Sequence, residues 1–400
     1  MRKITADIIF SIKNPPIKNG IIIVTDDGKI LDVLPENTVN KEELENHVGI
    51  ICPGFVNTHC HLELSHLKNK LPEKTGLDVF IREIEKQRKA DEEEISQAIE
   101  NAENEMILNG IVAVGDISNG DKSFAQKSRK NIFYHTFIEV FGFHPDKAEN
   151  AFARSMALKE KYISHVSNHV SISPHAPYSA SETLLKKLFF ETEKNNSIST
   201  IHNQECEDEN LFFEKKQGKI LARLQLFGID TDFWKAPEKN SLRATLPQLA
   251  QKNNFLLVHN TFTSREDIKW ANAFHPHLYW CFCPNANLYI ENKLPDFENF
   301  ISENARITIG TDSLASNHQL SILEELKIIS VARPEIPLNT LLTWATKNGS
   351  DFLNCSDFFG TIEKNKFPGL LLLNNINKNN GSLSKNTEVK VLVKAHKKIR

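Results

Sequence analysis

The sequence predicts an α/β protein: a (β/α)8 TIM barrel with a small β-sandwich formed by the N- and C-terminal segments. Two observations lead to this fold. Eight short apolar runs rich in β-branched residues alternate with helical stretches, as strands buried on both faces of a parallel barrel require. The chain has 400 residues, which is enough for one barrel of ordinary size and a small additional domain.

The eight runs share an apolar body and a polar or charged carboxyl end. They cover residues 53–63, 110–118, 133–143, 169–179, 197–205, 254–262, 278–287 and 305–313. We predict one barrel strand in each run. The corresponding domain boundaries place residues 1–53 in the N-terminal part of the sandwich, 54–362 in the barrel and 363–400 in the C-terminal part.

The terminal segments read as short strands separated by turns. ITADIIFSI and GIIIVTDDGKILDVL lie near the N-terminus, and Asp27-Gly28 in the second segment is a hairpin signal. FPGLLLLNNINKN and NTEVKVLVKA near the C-terminus are expected to return and complete the same sheet. Between about 77 and 108, long charged and apolar periodicity predicts one or two helices with a solvent-facing side.

Composition and charge exclude several classes of partner. A formal charge of -3 provides no strong positive field for a phosphate backbone or an anionic membrane, so neither nucleic acid nor membrane is an expected partner. Six scattered cysteines without a C-x-x-C pair favour reduced thiols. Asp7 and Lys13 interrupt the N-terminal apolar stretch before a signal core can form, and we expect a cytoplasmic protein. A homodimer is a possibility that no sequence feature demonstrates.

Metal-binding residue types stand at the ends of the predicted strands, which is the barrel face that carries active sites. Strand one ends in His59-Cys60-His61, whose imidazoles are two residues apart and point to one side. Strands five, six and eight end in His202, His259 and Asp312. One H-x-H arises often by chance, but several strand ends together favour a site. Imidazoles with a carboxylate suit Zn²⁺ or Fe²⁺ better than Ca²⁺ or Mg²⁺.

Five segments, in this order and spacing, resemble the amidohydrolase superfamily. They are PGFVNTHCHLE, IHNQE, LVHN, CPNAN and GTDSLASN. Within the superfamily they are similar to the aminohydrolase branch, which contains the adenosylhomocysteine, guanine and aminofutalosine deaminases and the chlorohydrolases. The resemblance covers nearly the whole chain, because that family also folds its two terminal segments into one β-sandwich beside the barrel.

The resemblance implies roles for individual residues. His59, His61, His202 and Asp312 would be the metal ligands, and Glu205, three residues after His202, would be the proton shuttle of an H-x-x-E motif. His259 and Asp312 would orient the attacking water, although His259 also has a simpler interpretation as a histidine of the barrel rim. Strand four lacks the lysine that bridges two metals in some relatives, so one divalent ion is expected, Zn²⁺ before Fe²⁺.

Four residues are candidates for substrate contact: Glu63, His175, Tyr178 and Asn317. Glu63 either faces the substrate or only binds a loop. His175 and Tyr178 either touch the substrate or belong to a turn that proline makes rigid. Asn285 and Asn287 of CPNAN depart from the family's usual Ser-Asn pairing, which leaves the substrate open.

Three functions remain as hypotheses. The first is hydrolytic deamination of an amino-substituted purine, pterin or adenosine-like nucleoside, as in aminofutalosine deaminase. The second is hydrolysis of a cyclic amide or a chloro-substituted heterocycle by the same site. The third is a barrel that only binds a ligand and has no catalytic activity.

Overall fold

The N-terminal segment forms five strands in the computed structural model, which describes residues 1–36, 38, 40–377 and 382–395. These are β1 (Arg2–Ile9), β2 (Ile17–Lys18), β3 (Ile21–Val24), β4 (Ile30–Leu34) and β5 (Glu45–Pro53). β3 and β4 pair antiparallel across the predicted hairpin. Gly28 in its turn has φ 90°, a conformation that glycine adopts without a steric penalty. The hairpin prediction is confirmed.

Eight further strands follow, one in each predicted run. They are β6 (Phe55–Cys60), β7 (Ile111–Ser118), β8 (Phe133–Val140), β9 (Val170–Pro174), β10 (Ser199–Asn203), β11 (Phe255–His259), β12 (Leu278–Phe282) and β13 (Ile307–Ile309). All their residues except Glu139 are buried, as strands covered on both faces must be. The strands are shorter than the runs because the polar ends of the runs turn out into loops.

Helices surround these strands. They are α1 (Leu77–Gln87), α2 (Glu92–Leu108), α3 (Phe124–Ser128), α4 (Ala148–His165), α5 (Glu182–Lys194), α6 (Glu207–Lys215), α7 (Lys219–Leu226), α8 (Ser241–Thr245), α9 (Arg265–Phe274), α10 (Pro284–Ile290), α11 (Phe297–Ser302), α12 (Ile322–Ala332), α13 (Leu338–Ala345) and α14 (Lys347–Phe352). The helical region predicted at 77–108 is the pair α1 and α2. In α5 the side chain of Ser181 caps the first turn by accepting from Leu184 N, and Leu184, Leu185 and Leu188 form the buried face.

The barrel consists of two four-stranded parallel sheets, β6-β7-β8-β9 and β10-β11-β12-β13. At one seam His202 N donates to His175 O at 2.9 Å. At the other seam Thr311 N and Asp312 N each donate to His59 O at 3.1 Å. Residues that carry the predicted site therefore also join the two half-barrels.

The C-terminal segment completes the terminal sheet with β14 (Leu370–Asn374) and β15 (Glu388–Val393). β14 pairs with β5, giving the order β15-β14-β5-β1-β3-β4 with β2 beside β1. Alternation places Leu371 and Leu373 against the barrel core, whereas Leu370 and Leu372 enter a separate core shared by the terminal strands. The predicted return of the C-terminal segment is confirmed; residues 378–381 and 396–400 of that prediction lie outside the described residues.

The proposed domain boundaries fall between elements. β5 ends at Pro53 and β6 begins at Phe55, while the boundary after residue 362 lies between α14 and β14. All six cysteines are buried and free of disulfide bonds. Within the described ranges, the structure contains no helix that is both long and apolar enough to cross a bilayer.

Candidate active site

Two histidines and one aspartate converge at the end of the first barrel strand. His59 and His61 approach each other through their Nε2 atoms, which are 3.1 Å apart. Oδ1 of Asp312 lies 3.6 Å from His59 Nε2 and 3.4 Å from His61 Nε2. The three side chains come from opposite sides of the β6–β13 seam, and all are buried or nearly so.

His202 completes this group from the other seam. One ligand atom from each of His59, His61 and His202 lies within 4.8 Å of the others. The Nδ1 atom of His202 is 2.7 Å from His175 O, and because a carbonyl only accepts, this bond places the proton on Nδ1. The Nε2 atom of His202 is then unprotonated and available as a ligand.

The donor set fits a divalent metal. Tetrahedral Zn²⁺ with bonds of roughly 2.0–2.1 Å separates its ligand atoms by about 3.4 Å. The 3.1, 3.4 and 3.6 Å separations among His59, His61 and Asp312 match that spacing. Burial and the neighbouring imidazoles lower the pKa of His59 and of His202, so both rings are in the neutral form that binds metals.

The close packing of the half-barrels at this point depends on a glycine. A Cβ built on Gly310 would lie 2.8 Å from His59 Cβ and 2.9 Å from Cys281 Sγ. A side chain at this position would therefore displace the His59 strand. Glycine permits β13 to approach the metal-binding strand closely.

Two site residues have a left-handed backbone. His259 has φ 73° and Asp312 has φ 55°, values that residues with side chains adopt only at an energetic cost of about 1–2 kcal/mol. Both residues lie at or just after a strand end, where this conformation turns the chain sharply. Such strain persists where the surrounding packing enforces it, and it is common at functional sites.

Glu205 and His259 form an acid–base pair beside the metal-binding group. Glu205 Oε1 lies 3.6 Å from His259 Nε2, and both side chains are buried. Burial, together with the charge of Asp312, raises the pKa of the Glu205 carboxyl well above its usual range. Burial lowers the pKa of His259 to about 3. The shift favours the protonated form of Glu205, and His259 beside it is neutral at neutral pH.

Asp312 remains ionised although it is buried. Burial alone would raise the pKa of this carboxyl, but His59 and the other imidazoles around it lower the pKa below its usual range. Its second oxygen, Oδ2, accepts a hydrogen bond from Ser316 Oγ at 2.5 Å. Ser316 thus fixes the orientation of the carboxylate.

Two cavities open beside these residues. The inner cavity has a volume of about 160 Å³, and the predicted His61, His202, Glu205, His259 and Asp312 line it. The outer cavity, about 740 Å³, extends toward α7 and the loop after it. Phe141 and His175 line both cavities, so the two cavities adjoin at these side chains.

The candidate substrate contacts divide into two groups. His175 lines both cavities and Tyr178 lines the outer one; the Tyr178 hydroxyl is buried with no partner among the described residues. Glu63 and Asn317 line neither cavity. Glu63 Oε2 accepts from the backbone N–H groups of Asn119 and Gly120, as the loop-binding alternative requires.

Asn317 supports the strand end that precedes it. Its Nδ2 atom donates to Thr311 O at 2.9 Å and to Glu325 Oε1 at 2.8 Å. Glu325 also accepts from Asn285 N at 2.8 Å, so one buried carboxyl joins the loops after β12 and β13. Asn317 therefore binds the backbone of the residue next to Asp312. A substrate contact for Asn317 stays a prediction.

Sequence reasoning did not select Glu139, which also lines the inner cavity. Its Oε1 atom lies 3.7 Å from His202 Nδ1 and has no hydrogen-bond partner among the described residues. Its Oε2 atom accepts from Asn119 Nδ2 at 2.8 Å. The signal was present, because Glu139 is the acidic residue near the carboxyl end of the third predicted strand.

The chain belongs to the amidohydrolase family, whose sequence profile matches residues 50–397. It is therefore a hydrolase with a TIM barrel and a divalent-metal site, and the hypothesis of a purely binding barrel is not supported. The family assignment was expected from the five motifs and is confirmed.

Two of the relatives that the chain resembles in sequence are nucleoside deaminases. The chain is 25% identical over 367 residues to the 5'-deoxyadenosine deaminase of Methanocaldococcus jannaschii, covering 86% of this chain and 80% of that protein. It is 25% identical over 393 residues to the 5-methylthioadenosine/S-adenosylhomocysteine deaminase of Bacillus cereus, covering 90% and 84%.

Solved structures share the whole fold. The aminofutalosine deaminase of Helicobacter pylori in complex with methylthio-coformycin superposes with a TM-score of 0.81 at 22% identity, covering 96% of this chain and 94% of that one. The zinc complex of the atrazine chlorohydrolase of Arthrobacter aurescens superposes with a TM-score of 0.75 at 15% identity, covering 99% and 96%. These likenesses confirm the predicted architecture.

Proposed function

We propose that this protein hydrolytically deaminates an adenosine-like nucleoside and releases ammonia. The observation that carries the proposal is the buried Glu205–His259 pair, 3.6 Å apart, beside three converging imidazoles and Asp312. Deamination needs an acid for the ring and the leaving amine and a base for water, and this pair supplies both. The named deaminase relatives support the same reaction.

One zinc ion is the proposed cofactor, with iron as the alternative. His59, His61, His202 and Asp312 would hold it, and the spacing and buried position of these groups fit a small divalent ion. When bound, such an ion supplies a hydroxide nucleophile at neutral pH by lowering the pKa of water toward about 7.

The chain's own residues perform the proton transfers. His259 and Asp312 line the inner cavity together and orient the attacking water, whose proton they accept. Glu205 gives its proton to a ring nitrogen, which makes the amino-bearing carbon electrophilic. After water has added, the proton taken from it passes from His259 to the adjacent Glu205, which delivers it to the amine. As ammonia leaves and the oxo product forms, the hydroxyl of the tetrahedral centre returns a proton to Glu205.

The cavities support a substrate larger than a free base. The inner cavity faces the acid–base pair and has an apolar wall that includes Leu77, Phe80 and Ile84, which suits a flat heterocycle. The adjoining outer cavity adds about 740 Å³, enough for a sugar and a substituent on it. Adenosine, 5'-deoxyadenosine and 5'-methylthioadenosine are therefore the first substrates to test.

The test combines metal analysis with product detection. We expect about one equivalent of zinc per chain, after expression with zinc, and ammonia release from at least one of these nucleosides. Chloride release from a chlorotriazine, or ring opening of a cyclic amide, without any ammonia release from nucleosides would establish the second hypothesis instead. A metal-loaded protein inactive on all nucleosides, aminopurines and aminopterins would contradict the proposal.

A further inference from the structure

A lysine and an aspartate form an ion pair with no solvent exposure next to the metal-binding strand. Lys127 Nζ of α3 lies 2.6 Å from Asp116 Oδ2 of β7, and both side chains are 0% exposed. Burying two charges is unfavourable unless additional hydrogen bonds satisfy them. The function described above does not use either residue.

The ammonium of Lys127 is fully satisfied in this position. Besides Asp116, it donates to Ser118 Oγ and Thr136 Oγ1, each at 3.0 Å. It also lies 5.2 Å from the centre of the Tyr162 ring. Burial opposes its charge, but the neighbouring Asp116 outweighs that effect and raises the pKa of Lys127. The lysine therefore stays charged and fixes the orientation of the aspartate.

The other oxygen of Asp116 binds the chain directly after His61. Asp116 Oδ1 accepts from Leu62 N at 2.8 Å. β6 ends at Cys60, the residue that pairs with Asp116 in the β6–β7 register. The carboxylate of Asp116 therefore accepts a charge-assisted hydrogen bond from the backbone N–H group of Leu62, the first residue after His61.

The metal-binding segment is consequently held from both sides. His59 O accepts from Thr311 N and Asp312 N on the β13 side, and Leu62 N donates to Asp116 on the β7 side. The carboxylate of Glu63 binds the backbone of residues 119 and 120, which joins the loops after β6 and β7 a second time. Between these anchors the two imidazoles have little freedom to separate.

We propose that Asp116, whose side chain Lys127 holds in place, is a positioning residue that sets the geometry of His59 and His61 for metal binding. This inference rests on the metal site of the proposed function. The buried Asp116–Lys127 pair contacts neither substrate nor metal. Its role is to hold His59 and His61 in position before the metal binds. Outer partners of metal ligands typically contribute about 10–100-fold to metal affinity.

The chain offers a matched control in a second buried pair. Lys159 Nζ of α4 lies 3.1 Å from Glu191 Oε1 of α5, with side chains 9% and 10% exposed. This pair joins two outer helices and lines neither cavity. Replacing either pair by apolar residues removes two buried charges at once, a change that is often neutral for stability.

The test measures the Zn²⁺ dissociation constant by competition with a chromogenic chelator, alongside thermal unfolding. In Asp116→Leu/Lys127→Met the Leu62 N–H loses its acceptor, and we expect Zn²⁺ to bind about 10-fold more weakly or worse. Asp116→Asn/Lys127→Met keeps an oxygen acceptor without the charges, and it should recover most of the affinity. Glu191→Leu/Lys159→Met should bind Zn²⁺ like the wild type.

The outcomes separate this inference from the proposed function. Wild-type affinity in a folded Asp116→Leu/Lys127→Met variant would overturn the positioning role alone. If that variant does not fold, a loss of affinity of about 10-fold or more in a folded Asp116→Asn/Lys127→Met variant would overturn the role of the Leu62 acceptor. A wild-type protein that binds no Zn²⁺ or Fe²⁺ would overturn the metal site, and the inference with it.

Discussion

The ring of Phe141 stacks on the ring of His175, with centroids 4.5 Å apart and an interplanar angle of 28°. Both residues line the inner and the outer cavity, so this stacked pair stands where the two cavities adjoin. Phe141 is 48% exposed, which is unusual for a large aromatic side chain. An exposed aromatic face at such a point suits contact with a ligand better than it suits the core.

Phe141→Ala should therefore weaken substrate binding more than it changes the chemical step. We expect KM for 5'-methylthioadenosine to rise about 10-fold, equivalent to about 1.4 kcal/mol of lost contact, with a smaller change in kcat. Phe190→Ala on α5 is the control. It removes a ring that is even more exposed, at 69%, and lies away from both cavities, so it should change neither constant. A fall in kcat alone would contradict a binding role for Phe141.

Glu205→Gln should abolish turnover without removing the metal. The amide cannot transfer a proton, and general acid–base residues typically contribute about 10²–10⁴-fold to the rate. The measurement is kcat together with metal content per chain. Glu207→Gln, at an exposed position two residues later, serves as the control. Full activity in Glu205→Gln would remove this residue from the mechanism.

His61→Ala should lower metal content far below one equivalent, because three donors hold an ion less tightly than four. His66→Ala tests whether any histidine in this region has the same effect. His66 lies in the turn that follows, where its Nε2 atom is 3.1 Å from Arg88 O and outside the metal-binding group. The measurement is the metal content of each variant after dialysis. If His61→Ala and His66→Ala retain equal amounts of metal, the assigned ligand set is contradicted.

The titration of Glu209, which lies outside the metal-binding group, should make the stability of the folded protein depend on pH. Burial, opposed by hydrogen bonds from Ser241 and Gln204, raises the pKa of this carboxyl to about 7. The folded chain thus binds the proton more tightly than the unfolded chain. Stability is fully present below the unfolded pKa, about 4.3, and falls as pH rises through about 7. The total loss is about 4 kcal/mol.

Glu209→Gln keeps an oxygen acceptor for Gln204 N and removes the titration. The difference in unfolding free energy between this variant and the wild type should grow between pH 4.5 and pH 7.5, in favour of the variant. Denaturant unfolding at several pH values measures it, with the exposed Glu214→Gln on the same helix as the control. A difference that is constant with pH would show that Glu209 does not titrate in this range.

The strands could be predicted because their signal is local. Each apolar run had to be buried, and the polar residue at its end had to reach the carboxyl face of the barrel. That rule predicted the strand ends at which His202, His259 and Asp312 line one cavity, with His59 beside His202; their roles as metal ligands stay predictions. The terminal sheet followed in the same way, since β14 and β5 alternate between two apolar cores.

Contacts between distant segments could not be read from the sequence. Asn317 has the residue type of a substrate ligand, but its amide group binds Thr311 and Glu325, and only the fold determines this orientation. Nothing in the sequence marks Lys127 as a residue that is fully buried against Asp116. Asp312 has a left-handed backbone and donates its N–H group to His59 O across the seam, a contact between segments far apart in the sequence.

The barrel consists of two four-stranded sheets, and the proposed metal site takes ligands from both. His59 and His61 belong to the first half, whereas His202 and Asp312 belong to the second, so an ion in the proposed site would act as a cross-link between them. Neither half alone holds enough ligands to retain it. Saturation at 1,000 times the dissociation constant would then add about 4 kcal/mol to the closed barrel. Loss of the metal would then lower the stability of the closed barrel as well as remove catalysis.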